Sequence, residues 1–198
     1  MSAVASLSTR EVADLAGVPK RLVEKAVEER VLAPRLVPRG LGRRPERLLP
    51  PHAVAYAAVL AKLGFPLPVT QKKRLAAALA RLPAVSLRSA HVELSPAVDL
   101  DVGRLVGDAV DRAESYARRR DEHVQESDAI KGGTPVIRGT RMTVYAVLGR
   151  VEHGDTLDDL AEDNPDIPPE ALEAALVYAR THPLVGRPGG RPWERSAV

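Results

Sequence analysis

The chain has 198 residues and no cysteine, which excludes disulfides, thiolate metal centres and cysteine nucleophiles. Aromatic residues make up 3% of it against a hydrophobic share of 44%, so Ala, Val and Leu must build the cores; that suits small helical domains better than a deep ligand pocket. The net charge of +3 is uneven: residues 1–82 hold 15 Lys and Arg against 6 Asp and Glu, residues 83–128 hold 6 against 10, residues 129–183 hold 5 against 9, and residues 184–198 hold 3 against 1.

A basic front joined to an acidic back is the pattern of a nucleic-acid-binding module fused to a protein-binding module. Met1 to Ser8 lack the basic stretch and apolar run of a signal peptide, and no apolar run approaches the ~18 residues of a spanning helix. The expectation is a cytoplasmic protein.

In chain order, Ser8-Thr9-Arg10-Glu11 reads as a capping box opening a helix with Val12, Leu15 and Ala16 on one face. Gly17 supplies a left-handed turn and Pro19 opens a second helix to about Arg30. Leu22, Val23, Ala26 and Val27 line one face of that helix, and Lys20, Arg21, Glu24, Lys25 and Glu28 the other. Two short helices joined by a tight Gly turn make a helix-turn-helix.

Val31-Leu32, Leu36-Val37 and Leu48-Leu49 read as extended around the basic, turn-rich Pro38 to Pro45, which predicts a hairpin wing. Helices follow over Pro51–Leu63 and about Val69–Leu82, separated by Gly64-Phe65-Pro66. Patches at Val85, Leu87, Val92, Leu94, Val98 and Leu100 predict short strands over 83–101 with a turn at Ser95-Pro96. One helix is predicted from about Asp101 to Glu122, with Leu105, Val106, Ala109, Val110, Ala113 and Tyr116 on a stripe. Gly132 to Arg141 reads as turn, short strand and turn. Three helices then run over Val144–His153, Thr156–Asp163 and Pro168 to about Thr181, and residues 184–198 read as a disordered tail.

The front half resembles the MerR-type winged helix-turn-helix. The resemblance rests on Glu11-Val12-Ala13-Asp14-Leu15-Ala16-Gly17-Val18-Pro19, Arg21-Leu22, His52-Ala53-Val54 and Leu60-Ala61-Lys62-Leu63-Gly64-Phe65, and covers about residues 7–82. The wing departs from the family's Arg-Tyr-Tyr, with Arg44-Pro45-Glu46 in its place. The family's long antiparallel dimerisation helix and sensing cysteines have no counterpart, so the resemblance implies DNA binding without that family's effector sensing. Lys20, Arg21 and Lys25 are the candidates for the major groove, and Arg39, Arg43 and Arg44 of the wing for phosphates or the minor groove.

The back half, about residues 124–183, resembles a bacterial domain-of-unknown-function family found in VapB-type antitoxins. The matching residues are Gly133-x-Pro135-Val136-Ile137-x-Gly139-Thr140-Arg141-x-Thr143-Val144, then Gly154-Asp155-Thr156-Leu157-x-x-Leu160 and Leu172-x-Ala174-Ala175-Leu176-x-Tyr178-Ala179. The resemblance implies a helix-turn-helix-like antitoxin domain whose partner is a PIN-like ribonuclease toxin. Arg187, Arg191, Trp193 and Arg195 of the tail are the candidate partner-binding residues, because Trp and Arg dominate interface hot spots.

The remaining candidates are bland. His52, His91, His123, His153 and His182 stand alone without metal-ligand spacing, and Asp155, Asp158, Asp159, Glu162 and Asp163 read as a solvated helix face. Gly132-Gly133 lacks the lysine and spacing of a phosphate loop. No catalytic constellation, cofactor site or metal site is expected.

The expected fold is mainly α with short β hairpins, an α+β chain. It comprises a winged helix-turn-helix over 1–82, a connecting and dimerising αβ segment over 83–123, a three-helix helix-turn-helix-like domain over 124–183 and a tail over 184–198. The expected function is that of an antitoxin that neutralises a PIN-like ribonuclease and represses its own operon as a homodimer on operator DNA. A stand-alone MerR-like regulator without a toxin is the alternative, and a pure protein-interaction adaptor the third reading.

Overall fold

Most described helices of this α+β chain start at a side-chain cap or a proline. A computed structural model describes residues 7–37, 46–87, 89–96, 98–126 and 133–184. The described residues fall into two compact units, 1–117 and 118–198.

In the first unit, Ser8 caps α1 (Thr9–Ala16): the Glu11 N–H donates to the Ser8 hydroxyl at 3.2 Å, and the Ser8 N–H donates back to the Glu11 carboxylate at 2.6 Å. Gly17 ends α1 at φ 65°, a left-handed conformation in which a Cβ is strained. Pro19 then caps α2 (Lys20–Glu28), which buries Val23 and Ala26.

The strands β2 (Arg35–Val37) and β3 (Glu46–Leu49) pair antiparallel, with Leu36 opposite Arg47. Residues 31–32 form a bend rather than the expected extended segment, because the Val31 and Leu32 N–H groups both fold back to the Ala26 carbonyl. The hairpin is also a three-stranded sheet: β1 (Leu7–Ser8) pairs with the other edge of β3, placing Leu7 opposite Leu49 in the core.

α3 (His52–Lys62) is buried on nearly every side from Ala53 to Val59. Its alanines leave room for α1, for α4 (Val69–Arg81) and for α6 (Val102–Val106) to approach closely.

Residues 83–117 depart from the sequence reading in two places. Val85 to Leu87 are helical, within α5 (Ala84–Leu87), rather than extended. Only β4 (His91–Ser95) and β5 (Val98–Asp101) form the expected hairpin. The single helix expected over 101–122 is two, because Gly107 takes φ 57° between α6 and α7 (Ala109–His123). Of the apolar stripe expected there, Val106, Ala109, Val110, Ala113 and Tyr116 are all buried.

The second unit opens with β6 (Val124–Gln125), which pairs antiparallel with β7 (Val136–Ile137), a pairing the sequence did not reveal. Three helices follow close to their expected limits: α8 (Val144–Glu152), α9 (Leu157–Asp163) and α10 (Pro169–Thr181). Leu172, Ala175, Leu176 and Ala179 of α10 join Val144, Val147 and Leu148 of α8 and Leu160 of α9 in one core. No described helix is long and apolar enough to cross a membrane.

Candidate nucleic-acid interface

The three bases expected to read DNA lie on α2, and each is engaged by an acid of the same helix or its end. Lys20 pairs with Glu24 at 2.6 Å, Arg21 with Glu28 at 2.7 Å, and Lys25 with Glu29 at 3.9 Å. Arg21 and Glu28 are 70% and 57% exposed, so their pair faces solvent and is open to competition. Glu29 is also held from α4, where Lys72 reaches it at 2.8 Å. The ammonium groups depress both acids below the ordinary carboxylate range: the hydrogen bond from Lys20 does so for Glu24, and that from Lys72 for Glu29.

The wing candidates Arg39, Arg43 and Arg44 lie outside the described residues, as do Arg187, Arg191, Trp193 and Arg195. The strands leading to the wing carry two exposed bases that sequence reasoning passed over, Arg35 on β2 and Arg47 on β3. Arg10 on α1 is a third; it is exposed and close enough to Glu24 to help lower its pKa. Their signal was position: all three sit on elements that flank α2 or residues 38–45, although none belongs to a run of bases.

Glu11 holds this substructure together from beneath. It is 1% exposed, and besides closing the capping box it accepts the Tyr116 hydroxyl of α7 at 2.6 Å. One buried carboxylate therefore fixes both the start of the helix-turn-helix and its contact with a helix 105 residues further along the chain.

In the second unit, the motif from Gly133 to Thr143 builds a closed turn. Gly133 and Gly139 take φ 80° and 78°. The Ile137 N–H donates to the Met142 carbonyl at 2.9 Å, the Thr140 hydroxyl donates to the Ile137 carbonyl at 2.9 Å, and Thr143 caps α8 through the Ala146 N–H. Arg138 donates from Nε to the Glu122 carbonyl at 2.6 Å, and its N–H donates to the His123 carbonyl at 2.7 Å, which satisfies the C-terminal end of α7. The motif is thus accounted for by local architecture, with Arg141 left exposed.

The acidic face of α9 is likewise largely structural. Asp159 completes a capping box with Thr156, whose hydrogen bonds hold its carboxyl below the usual range. Arg150 of α8 pairs with both Asp155 and Asp163, which raises the guanidinium pKa. Residues 157–163 contain four acids and no base, so α9 in a groove would set four carboxylates against phosphates. Outside α9 the second unit exposes Arg118, Arg141 and Arg180. Among the described residues, no group of three or more His, Asp and Glu could hold a metal.

Residues 124–179 are similar to a family described as "Protein of unknown function (DUF433)". An uncharacterized protein of Sinorhizobium fredii, y4eO, is 38% identical over 88 residues, which cover 44% of this chain and 39% of that protein. The chain therefore matches well under half the length of this relative. No solved structure matches the chain.

Proposed function

We propose that the chain is a non-enzymatic, cytoplasmic antitoxin that binds operator DNA as a homodimer through its first unit and neutralises a PIN-like ribonuclease with the rest of the chain. The observation that carries the DNA half is the order of elements: a helix-turn-helix over 9–28, with Lys20, Arg21 and Lys25 on its second helix, runs directly into antiparallel strands bearing exposed Arg35 and Arg47. A recognition helix followed by a basic hairpin is a workable reader of duplex DNA, the helix for base edges and the hairpin for the backbone. The toxin half is supported by the Gly133 to Val144 motif, which resembles that of VapB-type antitoxins, and by the acidic charge of residues 118–184.

The test has two arms. Fluorescence anisotropy with the duplex upstream of the chain's own reading frame should show salt-sensitive binding that exceeds binding to a random duplex. Co-expression with the adjacent open reading frame should relieve growth arrest caused by that frame alone, and deletion of residues 184–198 should weaken the relief. DNA binding without relief would leave a stand-alone regulator. Relief without DNA binding would leave a protein-interaction adaptor.

A further inference from the structure

The charges of α2 run against its helix dipole. An α-helix is stabilised by acids in its first turn and bases in its last. α2 has no acid in its first turn; Lys20 and Arg21 stand there, while its last turn holds Lys25 beside Glu28, with Glu29 at the C-cap. Its i,i+4 pairs, Lys20–Glu24 and Lys25–Glu29, place the lysine before the glutamate, the less favourable order for helix stability. The helix dipole therefore accounts neither for Lys20 and Arg21 nor for Glu28.

DNA recognition accounts for the bases, because a recognition helix contacts base edges with its N-terminal residues. The acids then have a definite consequence. Residues 20–30 hold four bases and three acids, a net charge of only +1 on the element meant to meet a polyanion. Any duplex that takes Arg21 must displace Glu28, and any that takes Lys20 must displace Glu24.

We propose that Glu24 and Glu28 are specificity-determining residues, intramolecular competitors that hold Arg21 and Lys20 off random-sequence DNA and yield them only to a site that supplies well-placed acceptors. The inference rests on the first unit being the DNA-binding half. Random DNA offers diffuse phosphate charge, against which a carboxylate already at 2.6–2.7 Å competes well. An operator offers in addition the fixed acceptors of base edges, such as guanine O6 and N7, to the same groups. The competitors thus lower non-specific affinity more than specific affinity. Glu29 serves differently, since Lys72 of α4 ties it to the body of the unit.

The experiment compares the full chain with Glu24→Gln/Glu28→Gln in anisotropy titrations over a range of salt. The probes are a random-sequence duplex and the duplex upstream of the reading frame. Asp158→Asn/Glu162→Gln on exposed positions of α9 controls for net charge, and Arg21→Ala reports whether α2 meets DNA at all. The expected result is a steeper salt dependence on random DNA, by up to about 1.8 in slope for two freed bases, equivalent to about 60-fold at 0.1 M salt. The ratio of specific to random affinity should fall, and the α9 control should match the unmodified chain.

Unchanged random-DNA affinity in the glutamine variant, with Arg21→Ala still weakening binding, overturns the competitor role and leaves the DNA reading intact. Selective loss of operator binding also overturns it, because the glutamates would then be reading bases themselves. If no duplex binds and Arg21→Ala changes nothing, the DNA reading fails and the inference with it.

Discussion

Removing the Glu11 carboxylate should unfold the first unit out of proportion to the size of the change. Glu11 is 1% exposed and serves the Ser8 N–H and the Tyr116 hydroxyl, each at 2.6 Å. Loss of the reciprocal half of a capping box is worth about 1 kcal/mol, and loss of a buried hydrogen bond to a charged acceptor about 1.5–3 kcal/mol. Glu11→Ala should therefore cost about 3–4 kcal/mol, and Glu11→Gln, which keeps an acceptor, roughly half of that. Tyr116→Phe should cost about 1–2 kcal/mol, and the double variant Glu11→Ala/Tyr116→Phe should cost less than the two together, with a coupling of about 1–2 kcal/mol. The assay is urea denaturation followed by far-UV circular dichroism, read for a lower midpoint at constant slope. Two compact units imply two transitions, and only that of the first should move. Additivity of Glu11→Ala and Tyr116→Phe within about 0.5 kcal/mol would refute the assignment of this carboxylate as the joint between α1 and α7.

Three further outcomes are expected. Gly17→Ala should lower the stability of the first unit by roughly 1–2 kcal/mol from the left-handed backbone alone, since a Cβ there meets no neighbouring atom; an unchanged urea midpoint contradicts this. Burial pushes the His52 imidazole below its ordinary value of 6.5, so below that pH the unfolded chain takes up a proton that the folded chain resists, and stability falls as pH drops. Between about pH 7.5 and about pH 5.5 the unmodified chain should lose more stability than His52→Gln, by at most about 1.4 kcal/mol per pH unit, and equal losses would show that His52 does not carry the effect. Arg43→Ala/Arg44→Ala should weaken binding to all duplexes alike and flatten the salt dependence by up to about 0.9 per lost phosphate contact, whereas sequence-selective loss would mean the wing reads bases.

The helices were legible because their ends are written in local chemistry. Ser8 with Glu11, Gly17 before Pro19, Thr143, and Thr156 with Asp159 act over three or four residues, and the elements they bound lie close to where the sequence placed them. Two of the misreadings are places where a distant partner decides. Leu7-Ser8 is a strand only because β3 offers a free edge about forty residues later, and Val124-Gln125 only because β7 does. The break at Gly107 was hidden because apolar residues keep a helical stripe on both sides of it. Val85 and Leu87 have the period of a strand, and a four-residue helix is too short for periodicity to tell the two apart.

The candidate interface shows the same divide between local and distant causes. Lys20, Arg21 and Lys25 were visible as bases on a polar face, but the sequence could not say which charges are free, because bases and acids alternate along that face. In α9 the acids Asp158 and Asp159 occupy the first turn, which the helix dipole favours, and Thr156 caps it; Glu162 and Asp163 stand in its last turn, and Arg150 takes up Asp163 together with Asp155. In α2 the first turn holds Lys20 and Arg21 and no acid, a placement the helix dipole opposes, while the last turn mixes Lys25 with Glu28. On α2 the exposed bases stand beside carboxylates of the same helix, so a polyanion takes up Lys20 or Arg21 only by displacing Glu24 or Glu28.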